Sequence, residues 1–222
     1  MKNLIASLIL FSLAFTTSAQ TDKDQFALKV AAADEANMKN LMQYIWKRKG
    51  DVTVDGQVKA SALSEFSFDA TGKLQTKVIE ATSTESQKRG MRGRAQSSAV
   101  EEKSDYVEKA LNLSIAYTFM TKGQLMDFIG KAKLTEGAGT TEATATDVYV
   151  KGDKLTVVID SKTLLYKSRK FSSLLDKDAI DGEINYESFS NGTNHASTTM
   201  LNMPAQKMKI DAKNQDYTIR VK

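Results

Sequence analysis

The chain has 222 residues: 41% are hydrophobic, 8% aromatic and 26% charged, with 31 lysines and arginines set against 27 acids. These proportions exclude disordered, collagen-like and multi-pass membrane proteins, and a net charge of +4 gives no global case for nucleic-acid binding. Zero cysteines and one histidine remove disulfides, thiolate zinc sites, iron–sulfur clusters, cysteine nucleophiles and most other metal or acid–base chemistry.

Lys2, the apolar run Leu4 to Phe15 and the small residues Thr17-Ser18-Ala19 read as a secretory signal peptide cleaved after Ala19. The run is about 12 residues, short of the roughly 20 that a spanning helix requires. Residues 1–19 are thus expected to be removed, leaving 20–222 as a single exported domain, periplasmic or extracellular. Asp22 to Lys49 reads as one helix, with Phe26, Val30, Ala33, Asn37, Leu41, Tyr44 and Ile45 at three- and four-residue steps. Thr21 is placed to cap it, and Gly50 to end it after the basic turn Lys47-Arg48-Lys49. In such a helix Tyr44 is buried and Trp46 sits at the helix–strand junction.

Period-two strands follow: Val52 and Val54, then Ser64, Phe66 and Phe68, then Leu74, Thr76 and Val78, joined at Asp55-Gly56 and Asp69-Ala70-Thr71-Gly72. Short connections make these an antiparallel meander. Thr82 to Ser98 is polar and reads as a loop, densest in charge at Lys88, Arg89, Arg92 and Arg94. Helical spacing returns over Ser98 to Phe119. Thr121 caps a shorter helix carrying Leu125, Phe128, Ile129 and Ala132, which Gly137-Ala138-Gly139 breaks. The last third reads as strands: Val148 and Val150; Leu155, Val157 and Ile159 after the turn Lys151-Gly152-Asp153; Leu164 and Tyr166; Ile180 to Phe189; Ala196 to Met203; Met208 and Ile210; and Tyr217, Ile219 and Val221. About ten strands and three helices, with no internal repeat or dividing linker, make one α+β domain with a large antiparallel sheet.

Few residues carry chemistry. A Ser-His-Asp relay would have to use His195, and no Gly-x-Ser-x-Gly elbow exists to expose a serine. Asp176, Asp178, Asp181 and Glu183 cluster between strands but lack the EF-hand order, and Gly90-Met91-Arg92-Gly93 is not placed between a strand and a helix as a phosphate loop would be. No cofactor or metal is implied. The methionines can pack a core or line a plastic apolar cavity.

The order of elements resembles the LolA/LolB-like periplasmic superfamily, an unclosed antiparallel barrel covered by helices. The resemblance implies an open half-barrel of about ten strands, three covering helices, and an apolar cavity between them for lipoprotein acyl chains or other lipids. Locally, Asn40 to Arg48, Phe68 to Thr76, Gln87 to Arg94 and Lys151-Gly152-Asp153 look like segments of a family of uncharacterised secreted bacterial proteins.

Three readings stay open. The first is a non-catalytic binding protein for a hydrophobic ligand, lipid or lipoprotein, lined by Tyr44, Phe66, Phe68, Tyr117, Phe128, Tyr166, Ile184, Tyr186 and Met200. The second is an envelope interaction or stress-sensing protein with a filled core and no ligand. The third is an enzyme with acids converging in a cleft. In the first two, Lys88, Arg89, Arg92 and Arg94 would touch anionic membrane surfaces or envelope proteins, and no nucleic acid is involved.

Overall fold

A computed structural model describes residues 2–83 and 91–220, with side chains described for 22–83 and 102–220. The helices are α1 (Lys2–Leu41), α2 (Met91–Thr118) and α3 (Lys122–Lys131). Strands β1 (Tyr44–Val54), β2 (Gln57–Phe68) and β3 (Leu74–Ser83) precede α2. After α3 come β4 (Lys133–Gly137), β5 (Thr140–Thr146), β6 (Lys154–Asp160), β7 (Tyr166–Leu175), β8 (Asp178–Ser188), β9 (Asn194–Met203) and β10 (Met208–Ile219). All ten strands form one open sheet in the order β3-β2-β1-β10-β9-β8-β7-β6-β5-β4, antiparallel throughout. The α+β class, the open sheet and the three helices are as expected.

The first helix departs from expectation. It ends at Leu41, and Tyr44 to Lys49 belongs to β1. Its backbone is also helical through Thr21, so that residue does not cap it. The three- and four-residue steps continue through Tyr44 and Ile45, but aromatic and β-branched residues suit a pleated surface, and two flanking strands decide the matter. Trp46 pairs with Phe66 on one side, and Arg48 with Asn214 on the other. Trp46 is consequently buried at 2% exposure and Tyr44 only half-buried, the reverse of the expected placement.

Three further corrections concern small or polar residues. Met91 to Ser98 is the start of α2, so Arg92 and Arg94 lie on a helix, while Lys88 and Arg89 lie outside the described residues. Helix α3 ends at Lys131 with Ala132 as its C-cap, and Gly137-Ala138-Gly139 instead turns the hairpin between β4 and β5. That hairpin turns only Thr141, Ala143 and Ala145 inward from β5, a weak alternation to read. Val148 and Val150 are not a strand. They sit in a loop held by the Asp153 carboxylate, which accepts from the backbone N–H of Val148, Tyr149 and Val150 at 2.6, 2.8 and 3.0 Å. The last two expected strands are one, β10, and Val221 lies outside the described residues.

The turn between β1 and β2 needs residues that tolerate positive φ. Asp55 and Gly56 take φ 50° and 76°, the pattern of a tight hairpin turn between β1 and β2. Helix α3 starts with a capping box: Thr121 Oγ1 accepts from Gln124 N, and Gln124 Oε1 accepts from Thr121 N at 2.8 Å. Its buried face, Leu125, Phe128 and Ile129, packs into the core that joins α1, α2 and the inner face of β5–β10.

Candidate ligand-binding face

The inner face of the sheet carries two separate apolar clusters. The larger holds Tyr117, Leu125, Phe128, Ile129, Leu155, Ile184, Leu201 and Ile210, with Tyr186 packed on its margin. It is a filled core. At its centre Arg169 of β7, 1% exposed, donates from Nη1 to the carbonyls of Tyr117 (2.6 Å) and Thr118 (3.0 Å) and so closes the C-terminus of α2. Its guanidinium carbon lies 3.9 Å from the Tyr166 ring and 5.7 Å from that of Tyr186. Asp34 of α1 faces this group: burial pushes its carboxyl up and the Arg169 charge pulls it back. Tyr117 stacks on Phe171 at 4.1 Å and donates to Asp153. Burial opposes ionisation of Asp153, but the hydrogen bonds from Tyr117 and three backbone amides outweigh it and hold the carboxyl below its usual range.

The smaller cluster is aromatic. Trp46, Phe66 and Phe68 pack with Leu41 at the end of α1, and Met38, Met42, Leu74, Phe119 and Tyr217 surround them. Trp46 stacks on Phe66 (5.8 Å) and on Tyr217 (5.7 Å). Tyr44 extends the wall through Phe189 at 5.0 Å, and its hydroxyl accepts from Asn191 Nδ2 at 2.9 Å. His195 lies within the same wall, 4.2 Å from Phe189 and 4.4 Å from Tyr217, with its pKa lowered by burial.

Between the clusters, strand register places two rows across the sheet, the first partly polar and the second of small residues. One row runs Val78, Ser64, Arg48, Asn214; the next runs Ala81, Ala62, Gly50, Ala212, Thr199. The second row opens towards its outer end: Ala81 is exposed and Ala62 and Gly50 are half-buried, whereas Ala212 and Thr199 are buried. A side-chain carbon on Gly50 would meet only the Ala212 methyl, at 4.0 Å, among the described residues. Val78 at the outer end is 61% exposed. At about 4.8 Å per strand, the five strands from β3 to β9 make a trough of roughly 19 Å.

Arg48 stands at the trough's edge, 8% exposed. Its Nε donates to Asn214 Oδ1 at 2.8 Å, and its guanidinium carbon lies 4.6 Å over the Phe66 ring. Burial lowers its pKa to about 10, so it stays charged at neutral pH. The basic run Lys47-Arg48-Lys49 resembles a solvated helix end; the signal that would have singled out Arg48 is the alternation Trp46, Arg48, Gly50 on one strand face.

The nine residues expected to line a ligand site are therefore dispersed. Tyr117, Phe128, Tyr166, Ile184 and Tyr186 belong to the filled core, while Phe66, Phe68 and Tyr44 belong to the aromatic wall. Met200 is on the opposite face of the sheet and 38% exposed. There it helps line two open concavities of about 550 and 520 Å³ that share Glu183 and are bordered by charged residues such as Lys49, Asp51, Lys154, Lys170, Asp181 and Lys213. The acids Asp176, Asp178, Asp181 and Glu183 do not converge: Asp176 pairs with Lys109, Asp178 accepts from Gln206, and Asp181 accepts from Ser172. No helix among the described residues is long and apolar enough to cross a membrane.

No family model and no curated protein matches the chain. Among solved structures it is similar to a DUF1329 family protein from Desulfovibrio piger, at 9% identity and a TM-score of 0.42, covering 90% of this chain and 93% of that one. It is similar also to a LolA superfamily protein from Nitrosomonas europaea, at 9% identity and a TM-score of 0.36, covering 85% of this chain and 94% of the other. The superfamily that the element order resembles is thus present among the structural matches. Likeness at this level concerns the path of the chain and assigns neither a residue nor a ligand.

Proposed function

We propose that the protein is an exported, non-catalytic binding protein for a hydrophobic ligand, and that the ligand lies in the trough between the two inner clusters. The observation that carries this reading is the row of small residues Ala62, Gly50 and Ala212 between two packed walls, with space for a side chain over Gly50 and partial exposure at Gly50 and Ala62. Phe66 and Phe68 border the trough from the aromatic side, and Val52 and Ile210 border it from the main core. A partly apolar groove with a few fixed polar groups is the usual form of such a site. The remaining aromatic candidates hold the walls in place rather than touching the ligand.

The test is titration with N-phenyl-1-naphthylamine, a neutral apolar fluorophore, on wild type and Gly50→Leu. Saturable one-to-one binding that Gly50→Leu abolishes at an unchanged melting temperature supports the reading. No saturable binding, or binding indifferent to Gly50→Leu, overturns it. Absence of binding would favour the second reading, an envelope interaction protein without a ligand, to which the filled main core already lends weight.

A further inference from the structure

Around the trough, hydrogen-bond donors outnumber acceptors among the described residues. Asn214 Nδ2 and the Tyr217 hydroxyl both donate to the Ala196 carbonyl, at 2.7 and 3.0 Å, and Asn214 Oδ1 is taken by Arg48 Nε. The Nε1 of Trp46, two residues along the same strand face, is sealed and has no acceptor. Arg48 itself has no carboxylate at ion-pair distance among the described residues; its ring contact with Phe66 and its single bond to Asn214 are what hold it. Its two terminal nitrogens have no hydrogen-bond partner among the described residues, although the side chain is only 8% exposed.

A buried guanidinium without an acid is costly unless something supplies the missing charge. Its free edge presents two parallel N–H groups, the geometry that grips a carboxylate or phosphate through two bonds at once. Beside it begins the apolar floor of Gly50, Ala62 and Ala212, a single row of small residues, which suits one extended chain better than a bulky ring system.

We infer that Arg48 is the head-group anchor of the trough, and that the ligand is an anionic single-chain lipid, its carboxylate or phosphate oxygens on Arg48 and its acyl chain along the row of Gly50. This rests on the trough being the ligand site. Fatty acids and lysophospholipids share this chemistry.

The experiment compares three ligands by displacement of N-phenyl-1-naphthylamine: oleate, oleoyl lysophosphatidylglycerol and oleyl alcohol. On wild type, at least one of the two anionic lipids should bind about tenfold or more tightly than the neutral alcohol, the gain expected of a charge-assisted pair. Whichever anion binds more tightly identifies the head group. Arg48→Met should bring the preferred anion down to the level of the alcohol while leaving the alcohol's affinity unchanged. If alcohol and anions bind alike, the hydrophobic site stands and the anchor is refuted. If none of the three binds, the ligand-site reading falls and the anchor with it. The wild-type comparison decides without any variant, so a poorly folding Arg48→Met does not protect the inference.

Discussion

Gly182 lies directly across the β7–β8 ladder from Phe171, and the ring of Phe171 occupies the space where a side chain at 182 would be. A methyl there would come within 2.1 Å of Phe171 Cε1 and 2.2 Å of Cζ, so the ring would have to move. Phe171 is buried and stacked at 4.1 Å on Tyr117, whose hydroxyl is committed to Asp153 and Ser173, so displacement disturbs the hydrogen-bonded end of α2 as well. Forced overpacking costs about 1–3 kcal/mol, set against roughly 0.4–1 kcal/mol gained from a less flexible unfolded chain. We expect Gly182→Ala to lose about 1.5 kcal/mol net, a fall in melting temperature of roughly 3–6 °C for a chain of this size. Phe171→Ala alone should cost about 3–5 kcal/mol. Adding Gly182→Ala to it should then cost nothing, because the obstructing ring is gone. Thermal and urea melts of the four proteins complete the cycle. A Gly182→Ala protein as stable as wild type, or two effects that simply add, would refute the steric argument.

Arg169→Met should destabilise the protein by about 3 kcal/mol, since it strips two α2 carbonyls of their donor and leaves Asp34 without its cation; urea melts should show the deficit shrinking with acidification, as Asp34 becomes protonated. His195 titrates below its usual 6.5 because burial favours the neutral ring, against the opposing pull of the Ala196 carbonyl and Glu187. The unfolded chain therefore takes up a proton first, and stability present above pH 6.5 should decline as pH falls through that value towards the folded pKa; melts between pH 7.5 and 5.5 should show the slope in wild type and its loss in His195→Phe. Thr121→Ala removes the side-chain half of the α3 capping box and should cost about 1 kcal/mol in the same melts.

The strands with large alternating side chains were legible from sequence: Phe66 and Phe68 in β2, Leu155, Val157 and Ile159 in β6, Ile180 and Ile184 in β8. So were the three helices and the cap at Thr121. Segments whose inward positions are small or polar were not. Thr141, Ala143 and Ala145 give β5 no hydrophobic signature, and Val148 and Val150 mimic a strand that a single carboxylate, Asp153, folds into a loop. The trough was hidden for a related reason. Its floor is defined by what Gly50, Ala62 and Ala212 lack, and its charged edge by pairings with β2 and β10, on segments distant in sequence, that no local period reports. The buried roles of Arg48 and Arg169 likewise depend on partners more than fifty residues away, or on strands yet to be paired.

The pairing of β1 with β10 sets Tyr44 against Ile219 and Val54 against Met208. It is the one junction in the sheet that neighbouring hairpins cannot make, and it welds a three-strand wing to a seven-strand block. Until β10 is in place, the wing has no strand of the block beside it and is held, among the described residues, by its own hairpins and by packing on the end of α1 and Phe119. Such long-range closure is slow, because a large loop must be ordered before the contacts that reward it exist. The trough crosses this seam: Ala62 and Gly50 are on the wing, and Ala212 and Thr199 are on the block. A molecule lying along it would be held only by the joined form. Occupancy would thus act as a clasp, slowing separation of wing from block in proportion to how far the free ligand exceeds its dissociation constant.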